Sequence, residues 1–539
     1  MSDQPPADSA STPVRTMREW TFETSKTYAE PFTDITVTAE FTSPSGVVST
    51  IEAFHDGGQR WRVRFNPGEA GDWAYRLDSV PANPDFQRRG DFTVTPAAVR
   101  GFLRSTPGEA WGFRYESDEP AFIFGDTVYH LFGMAHNSEE GAAAVRAFME
   151  RRAGQGFNLL RIRLPVSRFH HPDGHNVWQA KSLWPWGGSE QMPRFDRFNL
   201  DYFRTVDQVM RWADELSIGI EMIMEAWGNE FPFNNRSVFT AEWEELWLRY
   251  LIARYDAFSS VHFWTLHNEY EYYPNGDWHY SADGVADRWA MRVGHLVRRL
   301  APHGHVVAIH NGPVQPSFGK RFASDPNVID TVMFQTWGTT GERDGWLAAG
   351  IENIIAQSLG DWPGSAVLSE WGYEFNPDLP PVMLGHRWCG PEHTRRGAWR
   401  GAFSGLGIIH GFENSWGPFQ VLDGDQPGLA SLLHLRRFFT ELVDFARLQP
   451  VTGLATSADA REGHLPLALA TPERDLVAIY LPAGGEISLQ IDRRPARASW
   501  FDPRTGELFD AALPEDGPIA APGGEENGHP ADWVLLLTE

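Results

Sequence analysis

Two glutamates, far apart in the chain, carry the chemistry that can be read first. Phe263-Trp264-Thr265-Leu266-His267-Asn268-Glu269 is a short apolar run closed by an amide and a carboxylate. Ala366-Val367-Leu368-Ser369-Glu370-Trp371 has the same form: apolar run, carboxylate, aromatic. Cleavage of a glycosidic bond needs one carboxylic acid to protonate the leaving oxygen and a second carboxylate beside C1. In a retaining enzyme the two stand roughly 5–5.5 Å apart and the second attacks C1. The pattern therefore predicts Glu269 as acid/base and Glu370 as nucleophile. Their pKa values must be split, so that the acid keeps its proton while the nucleophile is ionised.

Such a pair needs elements that bring both groups to one place. From about residue 119 to 445 apolar strand candidates alternate with helix-like segments. The strands are Phe122 to Asp126, Asn158 to Arg163, Gly219 to Met224, Phe263 to Glu269, Val306 to His310, Thr331 to Gln335, Ala366 to Glu370 and Gly407 to Gly411. Helix-like segments lie between them at 140–153, 201–216, 241–256, 284–301 and 344–358. Eight such units predict an α/β fold, a (β/α)8 TIM barrel, whose active site lies at the C-terminal ends of the strands. Strands four and seven sit on opposite sides of the mouth and can face a sugar from two sides.

The strand ends then supply the candidate substrate-binding residues: Asp126 and His136, Arg161, Trp227, His267 and Asn268, His310, Gln335 and Trp337, Trp371, and Trp416. Arg161 and Arg163 are candidates for the cation that keeps Glu370 ionised. Asn268 can bond a ring hydroxyl. Each has a plainer reading. Arg161 can pair with a carboxylate without touching sugar, His267 and His310 can be wall histidines, Asp126 can cap a loop, and Glu225 can be a third site carboxylate or half of an ion pair. Trp184 and Trp186, in a long loop after strand two, suit a substrate lid or plain packing, and Tyr270, Tyr272 and Tyr273 suit the leaving-group side or packing.

Before the barrel the period is two. Ile35, Val37, Ala39 and Phe41 alternate with polar residues, as do Trp61, Val63 and Phe65, and short turns separate the runs. This predicts an N-terminal β-sandwich over 16–98 behind a disordered tail at 1–15. The barrel domain is placed at 99–445. Strand and turn signals return in a small C-terminal antiparallel β-domain at 446–539.

Composition narrows the class. The chain has 539 residues, 42% hydrophobic and 22% charged, the balance of a globular protein too long for a single core. Its net charge of −25 argues against nucleic acid and anionic membrane partners, which need basic patches. The 23 Trp suit the apolar faces of sugar rings, although packing claims many of them. With Cys389 as the one cysteine, no intrachain disulfide and no cysteine-based zinc site can form. The start lacks a secretory signal and no stretch reaches the length of a membrane span, so a cytoplasmic protein is expected.

With these residues in view the chain resembles the clan A glycoside hydrolases, whose mark is Asn-Glu after strand four and Glu after strand seven. The resemblance implies acid/base and nucleophile roles for Glu269 and Glu370, the 2-hydroxyl for Asn268, and an aromatic sugar platform at Trp416. Pro120-Ala121-Phe122-Ile123-Phe124-Gly125-Asp126-Thr127, the preceding β-domain, and Trp500-Phe501-Asp502-Pro503-Arg504-Thr505-Gly506 are similar to the apiosidase-like branch. Where that branch continues with Trp, this chain has Val128-Tyr129-His130. The expectation is a retaining glycosidase without cofactor or metal, exo-acting on short oligosaccharides or small glycosides. A metallohydrolase is disfavoured: no His-x-His follows strand one, and His170 and His171 are adjacent. A non-catalytic carbohydrate-binding protein would keep the Trp and lose one carboxylate. Transfer to another sugar and homo-oligomerisation through the β-domains stay open.

Overall fold

Eight parallel strands close on themselves in chain order: β1 (Phe124–Thr127), β2 (Leu159–Arg163), β3 (Gly219–Glu225), β4 (Val261–His267), β5 (Val306–His310), β6 (Thr331–Gln335), β7 (Ser365–Glu370) and β8 (Gly407–His410). The first strand pairs with both β2 and β8, which completes the ring. The computed structural model describes residues 11–165, 183–226, 230–276, 284–312, 317–336, 350–374, 389–412, 424–458, 463–491, 494–515 and 517–539. All eight strand candidates of the sequence are found. They are buried on both faces, which is why they read as continuous apolar runs and not as alternation.

Helices cover the barrel: α1 (Leu131–Asn137), α2 (Glu139–Gly154), α3 (Leu200–Leu216), α4 (Ala241–Tyr255), α5 (Val285–Leu300), α6 (Phe318–Arg321), α7 (Ile351–Leu359), α8 (Pro391–Phe403) and α9 (Leu429–Arg437). Local caps set their starts. The Ser138 side chain accepts from Gly141 N–H at α2, and the Asn199 side chain accepts from Tyr202 N–H at α3.

The bottom of the barrel is plugged. A hairpin of Leu103–Ser105 and Phe113–Tyr115 lays Leu103, Phe113 and Tyr115 against Ile123, Leu159, Phe263, Ala308, Met333, Val367 and Ile409. Gly125 keeps this layer tight, since a Cβ there would meet Ile409 Cγ1 at 3.0 Å. Above this floor, whose polar contacts are the hydroxyls of Ser105, Thr331 and Ser365, the titratable inward residues Arg161, His310 and Glu370 lie toward the C-terminal end of the strands.

The N-terminal β-sandwich pairs a five-stranded sheet with a three-stranded one. Its core is the set of alternating residues: Val37, Ala39 and Phe41 face Trp61, Val63 and Phe65, and Phe41 stacks on Phe65 at 4.1 Å. The sheet begins before residue 16. Thr12 and Pro13 pair with Val94 and Thr95, so the tail expected to reach residue 15 is shorter than predicted. The C-terminal β-domain is a six-stranded antiparallel sheet from Gln449–Pro450 to Trp533–Thr538, with a second sheet of three short strands.

Buried ion pairs join the domains. Arg64 of the sandwich reaches between α3 and α4, where Nη2 meets Asp207 Oδ2 at 2.6 Å and Nη1 donates to the Arg254 carbonyl at 2.7 Å. On the other side Arg395 of α8 meets Asp532 at 2.9 Å. Trp186 of the long loop after β2 is buried against Trp247 at 4.6 Å, and Trp184 stacks on Phe231 at 5.9 Å. Both packing contacts match the plainer of the two sequence readings. Among the described residues no helix is long and apolar enough to cross a membrane.

Candidate active site

Arg161 stands at the centre of the barrel mouth. It comes from β2 with its side chain sealed from solvent, and its three nitrogens serve three groups. Nη1 donates to Glu370 Oε1 at 2.7 Å, Nη2 donates to Asn268 Oδ1, and Nε lies 3.4 Å from Glu221 Oε1. Glu221, one layer lower on β3, accepts from Thr265 Oγ1 at 2.9 Å. Burial raises the Glu221 carboxyl, and Arg161 works against that rise. Only arginine has a planar fork able to hold all three partners at once.

Glu370 ends β7. Its Oε1 also accepts the Tyr129 hydroxyl at 2.9 Å, and Tyr373 Oη lies 3.0 Å from Tyr129 Oη. His310 of β5 places Nε2 3.2 Å from the same oxygen, close but out of line for a full hydrogen bond. The Glu269 N–H points at His310 Nδ1 at 3.3 Å, so Nδ1 is the acceptor and Nε2 carries the proton that faces Glu370. Burial holds His310 neutral, with a pKa lowered to about 4.

Glu269 lies two residues beyond the end of β4, in a left-handed conformation with φ 56°, where a residue with a Cβ is under strain. The strand had been expected to run through it. The turn instead breaks β4 after His267 and leaves Glu269 partly exposed. Gln335 of β6 bridges the two carboxylates: its Nε2 donates to Glu269 Oε1 at 2.7 Å and to Glu370 Oε2 at 3.0 Å. These oxygens are thus no farther apart than the two bonds laid end to end.

The electrostatics differ sharply at the two ends of that bridge. Burial, and then the negative charge of Glu370, push the Glu269 carboxyl well above the ordinary range. Burial pushes Glu370 up as well, but Arg161 and His310 outweigh it and hold the group well below the ordinary range.

The structure therefore joins Glu269, Glu370, Asn268, Arg161, His310 and Gln335 in one network. Four other candidates lie elsewhere and are corrected. Asp126 accepts from Arg152 Nε at 2.7 Å, towards the helix layer. His136 packs edge-on to Tyr202 of α3 and bonds Thr205 Oγ1 at 2.9 Å, because α1 carries it outside the barrel. His267 donates from Nδ1 to the Asn268 carbonyl at 2.6 Å and packs against Trp289. Trp371 follows Glu370 and so points the other way, against Gly397 of α8. Trp227, Trp337 and Trp416 lie outside the described residues.

Glu225 is part of an ion cluster. Arg236 donates to it at 2.5 Å and to Glu244 at 2.7 Å. Tyr270 is buried and bonds Asp287 at 2.9 Å, Tyr273 is half-buried and stacks on Trp289, and Tyr272 is half-buried near Glu269.

Tyr129 and Tyr373 are the site residues that sequence reading missed. Tyr129 sits in the segment that departs from the resembling pattern. Gly372, at φ 130°, turns the chain after β7, and Tyr373 lies over Gly411, where a Cβ would collide with its ring. A hydroxyl-bearing aromatic just past each turn was the available signal. Among the described residues no group of three or more His, Cys, Asp or Glu side chains is placed to hold a metal ion.

A closed parallel barrel between two β-domains is an architecture seen in glycoside hydrolases. A solved structure from Bacteroides vulgatus ATCC 8482, described as "a putative glycoside hydrolase", is similar over 98% of this chain and 99% of that one, at 18% identity and a TM-score of 0.70. A glycoside hydrolase family 5 structure from the same organism covers 82% of this chain and 93% of its own, at 16% identity and a TM-score of 0.60. Residues 110–423 match the apiosidase-like catalytic domain, more than half of the chain, and the chain belongs to that family. Residues 16–80 match the domain of unknown function DUF5060, and residues 457–538 match a family described as "putative collagen-binding domain of a collagenase". No curated protein matches in sequence.

Proposed function

We propose that the protein is a retaining glycoside hydrolase that removes a terminal sugar from short oligosaccharides or small glycosides. Glu269 is its acid/base and Glu370 its nucleophile. The observation that carries this reading is the shared amide of Gln335, 2.7 Å from one carboxylate and 3.0 Å from the other. A separation within the sum of those bonds fits the roughly 5–5.5 Å of retaining enzymes. It falls short of the roughly 6.5–9.5 Å that inverting enzymes need to admit a water.

The opposed pKa directions support the same roles. In the first step Glu370 attacks C1 while Glu269 gives its proton to the leaving oxygen. In the second, water attacks C1 and Glu269 takes the proton back. Arg161 and His310 keep the free nucleophile ionised before it attacks, and favour its departure as a carboxylate in the second step. Asn268 Nδ2 is buried with no acceptor among the described residues, which suits a donor to the sugar 2-hydroxyl. Such a bond contributes most where it tightens in the transition state.

A panel of aryl glycosides of common pyranoses and furanoses tests the reading, with wild type and Glu370→Ala in parallel. Turnover of one sugar by wild type, its loss in the variant, and azide rescue with inverted product are expected. Full activity in Glu370→Ala refutes the assignment. Release from aryl monosaccharides and short oligosaccharides, without attack on polymers, is the expected exo pattern. Adding a second sugar as acceptor separates hydrolysis from transfer.

A further inference from the structure

The two oxygens of Glu370 have different surroundings. Oε1 accepts from Arg161 at 2.7 Å and from Tyr129 at 2.9 Å, with His310 Nε2 beside it at 3.2 Å. Oε2 accepts one hydrogen bond among the described residues, from Gln335 at 3.0 Å. A carboxylate oxygen offers about two lone-pair sites. Both are occupied on Oε1, and one is left on Oε2. That oxygen is the one turned to the amide shared with Glu269, the side on which a sugar between acid and nucleophile must sit.

Resting on the two-glutamate reading, we infer that Glu370 attacks C1 through Oε2, and that Tyr129, held by Tyr373, is a positioning residue that fixes the carboxylate in this orientation. Tyr129 is well built for it. Its ring is fully buried, with the Arg161 and Arg163 guanidiniums 5.1 and 5.2 Å from its centroid. Burial raises its phenol far above the ordinary range, so it stays a donor. Its single proton goes to Glu370, so Tyr373 donates to Tyr129 across their 3.0 Å contact.

The step balances. A lone pair of Oε2 forms the bond to C1 as the bond from C1 to the leaving oxygen breaks. That oxygen keeps the pair and takes the proton of Glu269. Oε1 becomes the ester carbonyl and still accepts from Arg161 and Tyr129. Water then attacks C1, its proton passes to Glu269, and the C1–Oε2 pair returns to Glu370.

The test starts from the 2,4-dinitrophenyl glycoside that wild type cleaves fastest. Its 2-deoxy-2-fluoro counterpart is used to trap the glycosyl-enzyme, and the adduct is crystallised. C1 should be joined to the Glu370 oxygen beside Gln335, with the other oxygen still held by Arg161 and Tyr129. C1 on the Arg161-side oxygen overturns the inference. Tyr129→Phe should lower kcat about 10- to 100-fold with little change in KM. It should also raise the acid limb of the pH profile by about one unit. Tyr373→Phe, which leaves the contacts of Glu370 intact, should do the same to a smaller degree. A Tyr129→Phe enzyme with wild-type rate and profile removes the positioning role and leaves the two-glutamate reading standing. No adduct on Glu370 from any sugar of the panel removes both.

Discussion

Arg161 meets Glu370 at 2.7 Å with both side chains almost wholly shielded from solvent. Neither charge is tolerable there alone, since breaking a buried pair by removing one partner costs about 3–5 kcal/mol. Arg161→Ala should therefore destabilise the barrel by that order, as read in the denaturation midpoint. Arg161→Lys keeps a charge but lacks the fork that reaches Glu370, Asn268 and Glu221 together. The lysine variant should fold, lose about 10²–10³-fold in kcat/KM, and show an acid limb moved upward. Wild-type kcat/KM in Arg161→Lys would mean that the fork is not what positions Glu370.

Activity should follow a broad bell in pH. Glu370 must be ionised, and its pKa is held below the ordinary carboxylate range, so the acid limb falls at low pH. Glu269 must be protonated, and its pKa is pushed above that range, so the alkaline limb lies beyond it. The plateau between them spans neutrality. With a dinitrophenyl leaving group, which needs no proton, Glu269→Gln should keep the acid limb and lose the alkaline one. A variant that retains the alkaline limb would assign that limb to another group.

The barrel was legible because its strands are buried on both faces: each left an apolar run of the right length, and each such run became a strand. Both glutamates were legible from the same runs, since a carboxylate ending an apolar strand has few other places to be. What failed was direction. Trp371 is adjacent to Glu370 in sequence, but side chains alternate along a strand, so it points to α8. His136 was placed by nearness to β1, yet α1 turns it away within two turns of helix. Asp126 stands at a strand end but on the outward face, where Arg152 of α2 claims it. Tyr129 and Tyr373 approach Glu370 through turns, and turn geometry has no period to read.

The packing of Trp371 gives its own prediction. A Cβ on Gly397 would overlap the edge of the indole, and the ring is buried and cannot retreat. Gly397→Ala should cost about 1–3 kcal/mol as overpacking, with KM left near the wild-type value because the ring is not a sugar platform. A large rise in KM without loss of stability would place Trp371 in substrate binding after all.

Asp207 ties the sandwich to the barrel through Arg64 at 2.6 Å and Arg254 at 2.8 Å. Burial raises its carboxyl, but Arg254 and Arg64 outweigh that and depress it well below the ordinary range. A depressed folded pKa means stability that is fully present above the unfolded value, about 3.9, and is lost as pH falls through the folded value. Asp207→Asn leaves Arg64 with Glu19 at 2.7 Å and Arg254 with Asp56 at 3.4 Å as their remaining carboxylates, and should cost about 1.5–3 kcal/mol at neutral pH through the lost charged hydrogen bonds. The gap between wild type and variant should narrow only in strong acid, below pH 4 or about that. Urea denaturation of both proteins across a pH series reads it, by the midpoint of the transition. A gap that is already closed at pH 6 would show that the junction draws its strength from packing and not from this carboxylate.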